Sequence, residues 1–110
     1  MQVIIQHQEP QAAVWRRWAA ERTHRVLRRL RDQVSSARVR LQDTNGPRGG
    51  ADKRCHIELR TDGYGTLIAE ATGTHWASAI NAALHKLARK LSRQHHRGLS
   101  QRAPIPSAQA

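Results

Sequence analysis

The sequence predicts one two-layer α+β domain, in which two helices pack on one face of a four-stranded, mainly antiparallel sheet, in the order β-α-β-β-β-α. First, a stretch near the C-terminus has apolar residues at intervals of three and four, which is typical of an amphipathic helix. Second, two stretches alternate apolar and polar residues, which is typical of half-buried strands. Third, a length of 110 residues supports one modest core but not two.

The N-terminal part of the chain predicts a strand followed by a helix. Residues 2–6 are rich in β-branched residues, which favour a strand. The pair Glu9-Pro10 then indicates the start of a helix, because proline is tolerated in a first helical turn. The residues predicted to form the buried stripe of this helix are Trp15, Trp18, Ala19, Val26 and Leu30.

The middle of the chain predicts three strands. Residues 34–41 alternate, and residues 42–52 then form a loop rich in residues that favour turns. Residues 53–60 alternate again, and the turn at residues 61–65 leads to a last strand near residues 66–72. The positions of the two alternating strands that are predicted to face the core are Ala37, Val39, Leu41, Cys55, Ile57 and Leu59.

A second helix is predicted after Gly73-Thr74. Beyond Gly98 the composition shifts to Ser, Gln, Ala and two prolines, which is typical of a disordered segment. The prediction is therefore a folded domain over residues 1–97 and a disordered C-terminal tail over residues 98–110. The apolar residues that place one face of the second helix against the core are Trp76, Ile80, Ala83, Leu84, Leu87 and Leu91.

The charge of the chain indicates a polyanionic partner. The formal net charge is +11, and the stretch from Ala71 to Ala110 contains six Lys or Arg but no Asp or Glu. On a helical wheel the first five of these cations fall on one arc beside the apolar stripe, and like charges four residues apart repel each other. An external anion would offset that repulsion. The five cations are Lys86, Arg89, Lys90, Arg93 and Arg97.

Other functions receive little support from the sequence. Cys55 is the single cysteine, so the chain can form no internal disulfide, and the histidines lack the spacing of metal ligands. The carboxylates are scattered, which argues against acid–base catalysis. No signal peptide and no apolar run of membrane-spanning length is present. We therefore expect a cytoplasmic protein that is not an enzyme, with no cofactor, no metal and no small-molecule substrate.

Part of the chain resembles a known family. The run from Thr74 to Leu91 is similar to the second-helix signature of the bacterial ribosome hibernation-promoting factor and ribosome-associated inhibitor family. The element order also matches, and residues 45–55 resemble a loop of some proteobacterial members, so the similarity covers about residues 1 to 97. In this chain Trp76 replaces the usual Tyr, Asn81 replaces the usual Asp, and Thr74-His75 replaces the usual acidic start.

The resemblance implies a short-form hibernation factor that is a monomer when free. It implies binding to ribosomal RNA in the decoding region of the small ribosomal subunit, where the protein blocks messenger and transfer RNA. The long-form C-terminal dimerisation domain is absent from this sequence. By position, the family's basic row on the second helix corresponds to Lys86, Arg89, Lys90 and Arg93. On the first helix only a basic character matches, and its candidates are Arg25, Arg28 and Arg29.

Two alternatives remain from the residues themselves. A general duplex-RNA or DNA-binding module would share the charge and the architecture, but it would bind isolated duplex as well as ribosomes. A membrane-surface protein is disfavoured because both apolar stripes are needed for the core. Core packing is the better interpretation of Trp15 and Trp76, whereas Trp18 lies nearer the polar edge and is a candidate for stacking on a base.

Overall fold

The structure, a computed structural model, describes residues 1–44 and 52–102, with side chains described up to His96 in the last helix. These residues form four strands and two α-helices, together with two short 3₁₀ helices at Pro10–Trp15 and Arg28–Gln33. In chain order the main elements are β1 (Gln2–His7), α1 (Arg16–Val26), β2 (Val34–Asp43), β3 (Lys53–Thr61), β4 (Thr66–Gly73) and α2 (Trp76–Arg102).

The strands form one mixed sheet in the order β1-β2-β3-β4. β1 runs parallel to β2, whereas β2 with β3 and β3 with β4 are antiparallel. Parallel neighbours need a crossover connection, and the segment containing α1 supplies it. The predicted α+β class and the mainly antiparallel sheet are therefore confirmed.

The core lies between the sheet and the helices. The inward residues of β2 and β3, from Ala37 to Leu41 and from Cys55 to Leu59, are fully buried at alternate positions. The predicted apolar face of α2 is buried throughout, from Trp76 at 5% exposure to Leu91 at 0%. Since burying a Leu or Ile side chain contributes roughly 1.5–3 kcal/mol, this face fixes the rotation of α2 about its axis. Its cations must consequently point away from the core.

The first helical segment differs from the prediction. Only Arg16–Val26 is α-helical, and the stretch from Pro10 to Trp15 is a 3₁₀ helix. The fully buried positions are Ala12, Ala19, Thr23 and Leu27, whereas Trp15, Trp18, Val26 and Leu30 are only partly buried. A threonine can occupy the core because its Oγ1 donates a hydrogen bond to the Ala19 carbonyl at 2.7 Å.

The last helix, α2, continues through Gly98 to Arg102, past residue 97, where the sequence places the end of the domain. The rest of the predicted tail, residues 103–110, lies outside the described residues, as does the stretch 45–51 of the predicted loop. Within the described ranges, no helix is both long enough and apolar enough to cross a membrane.

Candidate nucleic-acid interface

The outward side of α2 carries the predicted row of cations. Lys86, Arg89, Lys90 and Arg93 are all exposed and lie outside the buried face of the helix. Arg97 continues the same helix, but its side chain lies outside the described residues. No Asp or Glu occurs anywhere between Trp76 and Arg102, so α2 itself supplies no compensating carboxylate.

Two members of the row contact the edge of the sheet. Lys86 Nζ donates a hydrogen bond to the Glu70 carbonyl at 2.9 Å, and Lys90 Nζ donates to the Ile68 carbonyl. β4 is an edge strand, so these carbonyls have no neighbouring strand on that side, and the lysines cover them. An ammonium has three donors, which leaves each lysine able to contact a phosphate as well.

The other two members face α1. Arg89 and Arg93 line an open groove between the two helices, together with Arg22 of α1. Arg22 Nε donates a hydrogen bond to Asn81 Oδ1 at 2.9 Å, which links α1 to α2. The guanidinium carbon of Arg22 also lies 5.7 Å from the centroid of the Trp18 ring, within range of a cation–π interaction. The arc that a helical wheel shows as one row is therefore divided between the sheet edge and the groove.

Sequence reasoning did not nominate Arg22 as a binding residue. Its position at the edge of the apolar stripe was a signal, because a long side chain there can cover apolar surface and present its charge to water. The partner Asn81 is an amide where the resembling family usually has Asp. The hydrogen bond therefore orients the guanidinium without cancelling its charge.

The three candidates of the first helical segment fall in different places. Arg25, Arg28 and Arg29 are all exposed. Arg29 lines a continuation of the inter-helix groove with His95 and His96, whereas Arg25 lies beside Trp18 and Arg22 in a shallow depression. Arg28 lies in the 3₁₀ helix that follows α1. The structure thus brings Arg29 to the groove and leaves Arg25 at its flank.

Other charged groups are held in ion pairs at the ends of β2 and β3. Lys53 Nζ contacts Asp43 Oδ2 at 2.9 Å and Asp52 Oδ1 at 3.3 Å, and the hydrogen bond with Asp43 is the main cause of its raised pKa. The Lys53 ammonium also lies 5.7 Å from the Trp76 ring centroid. These contacts give Lys53 a structural role. Arg48, in the loop predicted over residues 42–52, lies outside the described residues.

On the open face of the sheet, Glu70 accepts hydrogen bonds from Arg54 Nη2 at 2.7 Å and from His56 Nδ1 at 2.8 Å. The hydrogen bond from Arg54, followed by that from His56, lowers the pKa of the Glu70 carboxyl. The carboxylate therefore remains ionised near neutral pH and compensates the charge of Arg54. α2 has no equivalent residue.

The environments of Cys55 and of the neighbouring tryptophans Trp15 and Trp18 indicate structural roles for these residues. Burial raises the pKa of the Cys55 thiol to about 12, so the thiolate that a nucleophile requires is scarce. Trp15 and Trp18 pack edge to face with ring centroids 5.4 Å apart. With Arg22 also against its ring, Trp18 is less available for stacking on a base than its partial exposure suggests. Among the described residues, no His, Cys, Asp and Glu side chains cluster as a metal site.

Comparison with known proteins identifies the family. Residues 5–98 match the family described as sigma 54 modulation protein / S30EA ribosomal protein. The chain belongs to this family. Membership makes it a ribosome-associated modulation factor and confirms the resemblance seen in α2 and in the element order. A search of the curated proteins finds no match.

Solved structures with the same fold include the following two. A ribosomal subunit interface protein from Coxiella burnetii has a TM-score of 0.64 and 19% identity, covering 87% of this chain and 99% of that chain. The crystal structure of the Thermus thermophilus Protein Y N-terminal domain has a TM-score of 0.68 and 19% identity, covering 84% and 98% respectively. At this identity the similarity shows the fold alone.

Proposed function

We propose that this chain binds ribosomal RNA in the decoding region of the small ribosomal subunit and blocks messenger and transfer RNA there. The observation that carries the proposal is the outward row of α2, in which Lys86, Arg89, Lys90 and Arg93 are exposed on a helix without a single acid. The similar protein from Coxiella burnetii is a ribosomal subunit interface protein, which supports a ribosomal partner for the present chain as well.

The geometry suits a folded RNA surface. Lysine and arginine on rigid helices contact phosphates, which positions a protein on RNA without reading its sequence. Arginine additionally presents a planar fork that binds phosphate through two hydrogen bonds. Inhibition by occupying a site needs no catalytic group, so the proposed function requires a binding protein and not an enzyme. We propose that the protein does this in the cytoplasm, as a monomer when free.

Competition with transfer RNA tests the proposed location. Saturating protein is added to vacant small subunits before labelled transfer RNA, and the bound transfer RNA is measured by filter retention. We expect bound transfer RNA to fall and translation in an extract to slow. Undiminished transfer RNA binding at full occupancy by the protein would exclude the decoding region as the site.

A salt series tests whether the basic row supplies the affinity. Co-sedimentation with small subunits, whole ribosomes and free duplex RNA is measured over the same range of salt. Each neutralised phosphate contributes roughly 0.7–0.9 to the log–log slope, so a slope of several units is expected with ribosomes. Equal affinity for free duplex RNA would favour a general duplex-binding module instead.

A further inference from the structure

The groove between α1 and α2 has a composition that phosphate binding alone does not explain. It has a volume of about 820 Å³, within the range of roughly 300–1,000 Å³ typical of small-molecule sites. Its floor includes the partly buried Val26 and Ala88, and its rim carries Arg22, Arg89 and Arg93. No Asp or Glu occurs among the described lining residues.

An apolar floor under a cationic rim indicates a ligand with two parts. The guanidinium groups suit an anion, which needs no apolar contact. Val26 and Ala88 suit a flat apolar body that gains by leaving water. A nucleotide has both parts, because its base has apolar faces and its phosphate is charged. In RNA, bases become available in this way in loops, bulges and ends, where they are unstacked.

Two polar groups in the groove are held in place before any ligand binds. The hydrogen bond from Arg22 Nε to Asn81 Oδ1 orients both side chains, and the Trp18 ring lies beside the guanidinium. No carboxylate within the described ranges pairs with Arg22, so its remaining N–H groups keep their positive charge available. The Asn81 amide uses its oxygen for Arg22, which leaves its two N–H donors for an acceptor on a base.

We propose that this groove binds one unpaired nucleotide of RNA, with the base on the Val26–Ala88 floor and the phosphate at the arginines of the rim. This inference rests on the proposed function, because both take RNA as the partner. It adds the place on the protein where an unstacked base is held. A duplex keeps its bases paired and cannot occupy the floor, so the groove favours single-stranded segments over duplex RNA.

Nuclear magnetic resonance titration tests the proposal. Labelled protein is titrated with uridine 5′-monophosphate, adenosine 5′-monophosphate and inorganic phosphate, and the backbone amides of Val26, Ala88 and Ser92 are followed. We expect saturable shifts with the nucleotides and much smaller shifts with phosphate at the same concentration. Equal shifts with phosphate would reduce the groove to an anion site and overturn the proposal, as would the absence of shifts with all three.

A groove-filling variant with a matched control separates the floor from the charges. Ala88→Leu adds volume to the floor while keeping every charge and a good helix former, and Ala13→Leu makes the same change at an exposed position of the first 3₁₀ helix. We expect Ala88→Leu to weaken nucleotide binding at least tenfold, on the order of 1.4 kcal/mol. Ala13→Leu should have no effect. Unchanged nucleotide binding by a folded Ala88→Leu protein would contradict the proposal.

A second variant covers the case in which Ala88→Leu fails to fold. Asn81→Ala keeps the floor and the charges but releases Arg22, and we expect nucleotide binding to weaken several-fold.

Ribosome co-sedimentation of the wild-type protein is measured in parallel. Ribosome binding without any nucleotide response in the groove would refute only the groove. Nucleotide binding in the groove without ribosome binding would support the groove and refute the proposed function.

Discussion

The surface of α2 and the open face of the sheet both carry several arginines, yet only the sheet face has carboxylates among them. On the open face, β2 and β3 present Arg38, Arg40, Arg54 and Arg60, and Glu70 on β4 is bonded to Arg54 and to His56. On α2, the cations have no carboxylate of their own helix beside them. The number of arginines therefore does not distinguish the two surfaces; the presence of acids among them does.

The energetic consequence is opposite on the two surfaces. On the sheet, Arg38 lies opposite Glu58 across the β2–β3 ladder, and opposite charges in such positions stabilise a sheet. On α2, Arg89 and Arg93 are four residues apart, and like charges at that spacing destabilise a helix by roughly 0.2–0.5 kcal/mol per pair. Cations that weaken the free protein are the better candidates for binding an external anion.

The largest effect is expected when the α2 row is neutralised. Replacing Lys86, Arg89, Lys90 and Arg93 together with Gln keeps helix propensity and removes four charges from the outward side. We expect ribosome affinity to fall by orders of magnitude and the log–log salt slope to fall by about 3 units. Co-sedimentation over a salt series measures both. A variant that sediments like the wild type would remove α2 from the interface.

Dividing that variant into pairs should separate binding from stability. Arg89→Gln with Arg93→Gln removes groove charges and one i,i+4 repulsion, so we expect weaker binding with an unchanged or slightly higher Tm. Lys86→Gln with Lys90→Gln also removes two hydrogen bonds to the carbonyls of β4, and we expect a lower Tm besides weaker binding. Thermal denaturation of both pairs checks this. A lower Tm for the arginine pair alone would contradict the assignment.

The expectation for the lysine pair shows what sequence could and could not provide. The helical wheel predicted that Lys86, Arg89, Lys90 and Arg93 lie outside the buried face, and all four are exposed, because the buried apolar residues from Trp76 to Leu91 recur at intervals of three and four. It could not show that Lys86 and Lys90 bind backbone carbonyls, because this depends on β4 being an edge strand. The wheel alone shows only like charges that repel at this spacing, from which neutralising all four cations is expected to leave stability unchanged or to raise it.

The groove, and the choice of which face of α1 is buried, could not be predicted from the sequence. Arg22 and Asn81 are 59 residues apart, and only the packing of α1 on α2 brings them together. The buried stripe of the first helix was predicted at Trp15, Trp18, Ala19, Val26 and Leu30, but only Ala19 among these is fully buried, and the helix also buries Thr23. Small side chains permit close approach to the sheet, and a buried threonine is difficult to predict because its hydroxyl is satisfied within the helix. The strands were easier to predict, since apolar and polar residues alternate along them in step with the buried and exposed faces of the sheet.

A smaller effect is expected from the open face of the sheet. Arg38→Gln with Arg40→Gln removes two exposed charges on the face opposite the helices. Screening limits their influence to about 10 Å at moderate salt, so we expect ribosome affinity to change a few-fold at most. The same co-sedimentation series serves as the measurement. If this variant is released from ribosomes while the α2 variant still sediments, the interface lies on the sheet and not on the helices.

The smallest effect is expected at Glu70, the carboxylate that compensates the sheet face. Glu70→Gln keeps the backbone carbonyl that Lys86 contacts but removes the charge bonded to Arg54 and His56. The folded protein lowers the pKa of this carboxyl below its ordinary value of 4.5, so the group stabilises the fold above that pH. This contribution is lost as the pH falls through the lowered folded-state pKa.

We therefore expect Glu70→Gln to lower the Tm slightly near neutral pH, and we expect the difference from the wild type to vanish well below pH 4.5. High salt should also reduce this difference, because the side chains involved are at least partly exposed. Ribosome affinity should hold, since the substitution leaves α2 and the groove unchanged. Thermal denaturation over a pH series checks the first expectation. A Tm difference that persists unchanged in acid would show that Glu70 acts through packing and not through its charge, and the compensation that distinguishes the two surfaces would then lose its main support.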